Sequence, residues 1–212
     1  MATSKEKDGP WLNGRKSGTV YYTLNGIRVA RGIGKSNKAP TLQQRTARQA
    51  TAVTSKFLSE VMHYVKIGFE VMGKATRTNP QNQAFSYNRK NAVQGTYPDV
   101  TIVYSMVLLS MGPKPMPADL QAAIEGDLLV LTWNPDVNIP DALWDDQVIV
   151  LAYFPEIKNS VFLSGGAKRF QGLEKIPLGG IKRGYGLHVF FSMISNDRSR
   201  ISNSQYLGQL YW

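Results

Sequence analysis

Few residues in this chain have both the type and the spacing that chemistry needs. Gly34-Lys35-Ser36 matches the end of a phosphate-binding loop, in which backbone N–H groups and a lysine cradle phosphate. The full pattern needs a glycine five residues before Gly34, and Val29 stands there; Pro40 also intervenes before any helix can begin. No nucleotide site is expected. Asp145 and Asp146 are adjacent, with Asp136 and Asp141 before them. Neighbours on a strand face opposite ways, so the two make a poor acid/base pair. In a loop, they lack the alternating Asp/Asn/Gly pattern that binds calcium, and a soluble loop is the simpler reading. His63 and His188 are the only histidines. Each stands alone, beside an apolar helical stripe and on a strand respectively, and is read as structural. There is no Gly-x-Ser-x-Gly elbow. The absence of cysteine removes disulfides, cysteine zinc sites, iron–sulfur clusters and thiol catalysis. The expectation is a protein that is not an enzyme and uses no cofactor, metal or small-molecule substrate.

What remains is charge. Arg28, Arg31, Lys35, Lys38, Arg45 and Arg48 lie close in sequence, and no acid falls between Lys35 and Arg48. These six are the candidate contact for a polyanion or a neighbouring subunit, where the polyanion is nucleic acid or an acidic protein face. The plainer alternative is a solvated basic surface. The net charge of +10 is unevenly spread: residues 1–114 hold 17 Lys+Arg against 5 Asp+Glu, and the rest hold 8 against 10.

The elements that would position these residues can be read from periodicity. Asn25-Gly26 between two β-prone runs predicts a type I′ hairpin, with strands over 18–24 and 27–31. Thr41 and Gln44 form a capping box after Pro40. Ala50, Val53, Phe57, Val61, Tyr64, Val65, Gly68 and Met72 then recur at three- and four-residue spacing, which predicts one long amphipathic helix ending near Gly73. A second helix is expected from the Asn79 cap and Pro80 to Gly95, and a strand over 99–110. Three prolines between Pro113 and Pro117 read as a stiff linker at the point where the charge balance changes. Beyond it, short strands are expected at 128–133, 147–153, 160–164, 173–178, 187–193 and 205–211, with a seventh at 119–124. That spacing suggests a β-sandwich. The fold class is therefore α+β, mainly β. It has a basic hairpin-and-helix module at 1–112, a linker at 113–118 and an immunoglobulin-like sandwich at 119–212.

Three resemblances add to this. The strand ending in Trp133, the alternating strand through Phe190, the Asn196-Asp197 turn and the final strand resemble the fibronectin type III family. That family's members mostly bind or space other modules. Across the whole chain, three segments resemble an uncharacterised family of about this length, found mainly in Bacteroidota. They are Asn13-Gly14 through Gly18 to Asn25-Gly26 with Arg28 and Arg31; Gly95 to Asp99 with Tyr104-Ser105 and Leu108 to Gly112; and Ser202 to Gly208. It implies no activity. Asn37 to Arg45 is similar to a segment of small phage-associated proteins, which implies a virion or mobile-element setting.

The polar start of the chain has no apolar signal core, and no run of 18 apolar residues exists. The expected protein is made in the cytoplasm without a signal peptide and does not engage a membrane. It is a structural or assembly component of a phage virion or similar self-assembling particle, partnered by copies of itself or other subunits. The alternative is a nucleic-acid-binding protein, with Tyr21 and Tyr22 available for stacking.

Overall fold

A computed structural model describes residues 2–3, 13–34, 38–76 and 78–212. The chain forms two compact units, Met1–Pro40 and Thr41–Trp212.

The first unit is an antiparallel sheet of β1 (Ala2–Thr3), β2 (Gly14–Lys16), β3 (Thr19–Leu24) and β4 (Ile27–Gly32), in the order β1-β4-β3-β2. Asn25 and Gly26 both take positive φ, as the expected type I′ turn requires. Among its described residues Val29 alone is buried.

The second unit opens with helices α1 (Leu42–Glu60), α2 (Met62–Gly68), α3 (Glu70–Thr76) and α4 (Pro80–Asn91). Thr41 and Gln44 close the capping box through Gln44 N to Thr41 Oγ1 (3.2 Å) and Thr41 N to Gln44 Oε1 (3.1 Å). Asn79 caps α4. The single long helix expected over 41–73 is interrupted twice, at Val61 and Phe69, where φ reaches −112°. Both residues are buried. The apolar stripe survives the breaks, so periodicity did not mark them.

After α4 come the two-residue strands β5 (Val93–Gln94) and β6 (Thr101–Ile102), which pair with each other. The strand expected over 99–110 is thus confined to β6. Residues Tyr104–Met106 form a 3₁₀ turn, and the chain beyond satisfies its backbone through side chains. Asn88 Oδ1 accepts from Leu108 N (2.9 Å), Asn88 Nδ2 donates to Leu108 O (2.8 Å), and Leu109 N donates to Ser204 Oγ (2.7 Å).

The carboxyl-terminal strands are β7 (Gln121–Glu125), β8 (Leu128–Thr132), β9 (Gln147–Phe154), β10 (Asn159–Lys168), β11 (Leu173–Pro177), β12 (Gly186–Ile194) and β13 (Gln205–Tyr211). They form an antiparallel sandwich, three strands in the order β11-β8-β7 and four in the order β10-β9-β12-β13. All seven expected strands are present. Val148, Val150, Ala152 and Phe154 of β9 face Leu129, Leu131 and Trp133 across the sandwich core. The alternate residues Ile149, Leu151 and Tyr153 join Phe57, Tyr64 and Phe69 in a second core with the helices. The four-stranded sheet is therefore covered on both faces, which gives three layers: helices, four strands, three strands.

That arrangement alters the expected division at residues 113–118. The proline run does not stand apart from the fold. Lys114 N donates to Ile201 O (3.1 Å), Pro113 bridges to Ser202, and the Lys114 side chain is buried. Proline at 113, 115 and 117 removes three donors, and Lys114 supplies one that the segment uses. The helical half and the sandwich share a core, and the boundary between units falls after Pro40. Among the described residues no helix is long and apolar enough to cross a membrane.

Candidate binding pocket

A cavity of about 480 Å³ opens in the second unit, where the helical layer meets the four-stranded sheet. Its size lies in the range of small-ligand sites. Helix α1 lines it with Val53, Lys56, Phe57 and Glu60, spaced 3-1-3 and so on one face of the helix. Val100, Ile102 and Tyr104 close a second side, and Tyr153 with Lys158 a third.

Aromatic packing fixes the inner wall. The Phe57 ring meets Tyr104 and Tyr153 edge-on, at centroid distances of 5.8 and 5.4 Å. Tyr104 stacks on His188 at 3.8 Å, and His188 Nδ1 lies 2.8 Å from the Tyr206 hydroxyl. Register explains the row: His188 and Tyr153 are direct cross-strand partners on β12 and β9, so both face the helices. The Tyr153 hydroxyl donates to Glu60 Oε2. Burial, reinforced by that carboxylate, pushes the Tyr153 and Tyr104 hydroxyls above the usual phenol range, so both stay protonated. Burial also lowers His188, which holds the imidazole neutral near pH 7. The array offers apolar surface and neutral hydroxyls rather than an ionised nucleophile.

A second constellation is buried at the base of the loop before β9. Asp146 Oδ1 lies 2.7 Å from Lys114 Nζ, and its Oδ2 lies 3.2 Å from Arg169 Nε. All three side chains are excluded from solvent. Lys114 Nζ also donates to Asp141 O, Arg169 Nη2 to Pro115 O, and Leu143 N to Asp146 Oδ2. The triad ties together segments 114–115, 141–146 and 169. On the outside of these segments stand Trp144 and Phe170, 56% and 51% exposed, with ring centroids 5.8 Å apart and Lys168 Nζ 4.9 Å above the Trp144 ring.

The six basic residues singled out from the sequence are distributed over both units. Arg28 and Arg31 lie on β4, three residues apart and so on opposite faces of the strand. Arg31 shares its face with Arg15, since both pair with Val20. Lys38 is exposed in the first unit, and Lys35 lies outside the described residues, with the rest of the Gly34-Lys35-Ser36 motif after Gly34. Arg45 and Arg48 project from the exposed start of α1. There the Arg45 guanidinium sits 5.7 Å from the centre of the exposed Tyr97 ring, and Arg89 Nη2 reaches Ala47 O (3.4 Å).

None of Glu60, Tyr104, Tyr153, Lys114 or Arg169 was identifiable from spacing, because their partners lie tens of residues away. Asp146, which local pattern assigns to a solvated loop, is fully buried. One available signal was the unbroken apolar run Val148–Phe154. Such a run marks a strand covered on both faces, and hence a helical layer over the sandwich.

Two of the segments carrying the whole-chain resemblance meet in space. Ser110 Oγ donates to Ser202 O (2.9 Å), Ser204 N to Ser110 O (3.1 Å) and Gly112 N to Asn203 Oδ1 (3.1 Å). The Gly95–Asp99 turn docks on α1, with Tyr97 N donating to Thr46 Oγ1 (3.0 Å) and Gln49 Nε2 to Pro98 O. No curated protein matches the chain. Residues 11–208 match a described family of unknown function, and because that match spans nearly the whole sequence, the chain belongs to that family, DUF6266.

Proposed function

We propose that the protein is a structural or assembly protein that uses its amino-terminal sheet to engage a neighbouring subunit. The observation that carries this reading is the composition of that sheet. Its face bearing Val20, Tyr22 and Val29 ends at the hairpin tip in Leu24 and Ile27, 54% and 57% exposed. Among its described residues this unit buries only Val29, and the apolar positions left open on the sheet suit a covering surface. Its outer strand β2 is short and carries Arg15 and Lys16, a common way to restrict strand pairing to a chosen partner. The particle setting, a phage virion or similar assembly, draws its support from the likeness of Asn37 to Arg45 to phage-associated segments.

Light scattering coupled to size exclusion tests the proposal. The full chain is expected to form a discrete oligomer, and Leu24→Asp with Ile27→Asp is expected to convert it to monomer with the thermal transition of the second unit unchanged. A wild-type chain that is monomeric at all concentrations would refute it.

A second reading, nucleic-acid binding, is favoured by the start of α1, where Arg45 lies over the exposed ring of Tyr97, Arg48 is exposed one turn on and Arg89 reaches Ala47 O. Cations beside an unpacked aromatic suit a phosphate backbone and a stacked base. Affinity for single-stranded DNA that falls steeply with salt, and that weakens in Arg45→Ala with Arg48→Ala, would support it.

A further inference from the structure

The Tyr104–Tyr153 cavity belongs to the second unit, whereas the assembly reading rests on the sheet of the first, and its chemistry is of a different kind. We infer that it binds a small amphipathic acid, an apolar body bearing one carboxylate, with the body inside the cavity and the carboxylate at its mouth between Lys56 and Lys158.

The polar groups at the bottom of the cavity are already engaged with one another. Tyr153 donates to Glu60, and the Tyr104 hydroxyl is hydrogen-bonded to Tyr153. A ligand atom reaching this depth therefore meets aromatic and aliphatic surface, and the Glu60 charge repels a second carboxylate from the interior. Phe57, Val100 and Ile102 supply that surface. Two cations line the same cavity, and both Lys56 and Lys158 are exposed at its rim. Among the described residues no acid other than Glu60 lines the cavity. The lining thus has apolar walls within, positive charge outside and one more cation than anion. A neutral apolar molecule would leave the lysines unused, and an alkyl cation would have to pass them.

Calorimetric titration of the full chain with octanoate, octylamine and octanol, three ligands of one length and different head charge, tests the assignment. One molecule of octanoate is expected to bind with a Kd of about 1 mM, as suits so small a ligand, and octylamine is expected not to bind. Lys56→Glu with Lys158→Glu alters only exposed side chains and is expected to weaken octanoate at least tenfold. Lys56→Arg with Lys158→Arg is expected to retain it. Val53→Trp, which fills the cavity from the half-buried face of α1 that lines it, is expected to abolish it. Octylamine or octanol binding as tightly as octanoate, octanoate binding that survives the charge reversal, or no saturable octanoate binding would each overturn the assignment. The oligomeric state of the wild-type chain is recorded in the same samples, so failure of the ligand proposal is separable from failure of the assembly proposal.

Discussion

Gly68 ends α2 where a side chain has no room. A Cβ there would lie 2.0 Å from Leu109 O and 2.8 Å from Ser110 Cα, both backbone atoms that cannot swing aside. Alanine favours a helix over glycine in general, but here crowding outweighs propensity. Gly68→Ala is expected to destabilise the protein by about 1–3 kcal/mol, read as a lower Tm in thermal unfolding. His188 makes a second prediction at this scale. Burial lowers its pKa in the folded state, whereas the unfolded chain takes up the proton near about pH 6.5. Stability from this group is present above that pH and is lost as pH falls through the folded value. Asp141 and Asp197 are also lowered, Asp197 to about 2, but unfolded aspartate titrates only near about pH 4, so their contribution falls in a separate, more acidic window. Denaturant midpoints should decline from pH 7 to pH 5 in the wild type and decline less in His188→Phe, which keeps a ring against Tyr104.

The loop before β9 and the turn before β11 owe their positions to Asp146. Buried ion pairs cost desolvation and seldom add stability over an apolar replacement, yet removing one partner strands the others. Asp146→Asn would leave Lys114 and Arg169 buried without a counter-charge, and a loss of about 3–5 kcal/mol is expected. The same substitution should release the segments that carry Trp144 and Phe170, so indole fluorescence should change before global unfolding. At the level of elements much was legible beforehand. The Asn25-Gly26 turn, the Thr41–Gln44 cap, the Asn79 cap and all seven sandwich strands follow from local rules, since each is decided by neighbours in sequence. The breaks at Val61 and Phe69 and the shortening of the 99–110 strand do not, because no local residue type marks them. There the backbone responds to the sheet beneath α2 and to the side chains of Asn88 and Ser204.

At the scale of the whole molecule the helices and the sandwich act as one body. Phe57 from α1 packs against Tyr153 from β9, and Tyr64 from α2 shares a hydrogen bond with Ser192 from β12. Phe57→Ala is expected to cost about 3–5 kcal/mol. The far-ultraviolet helical signal and the near-ultraviolet tryptophan signal should shift together, in one transition, although the substitution touches only the helical layer. Two separate transitions would restore an independent domain beyond the proline run. The charge asymmetry between residues 1–114 and the remainder does not coincide with a boundary between units. Residues 1–40 hold 8 Lys+Arg against 2 Asp+Glu and residues 41–114 hold 9 against 3, so the basic excess is shared equally by the amino-terminal sheet and the helical part of the second unit.

By itself the sequence determined the fold class, the hairpin, the caps, the seven sandwich strands and the family, because short-range periodicity, turn chemistry and linear motifs suffice for these. It also placed the basic residues in the chain. Only the tertiary structure decided which side chains meet. The tyrosine-lined cavity gathers residues from positions 53 to 158, and the ion triad gathers Lys114, Asp146 and Arg169. The physical reason is that β9 has two faces and both are buried. One face completes the sandwich that local patterning announces, and the other is claimed by helices whose partner no local pattern names.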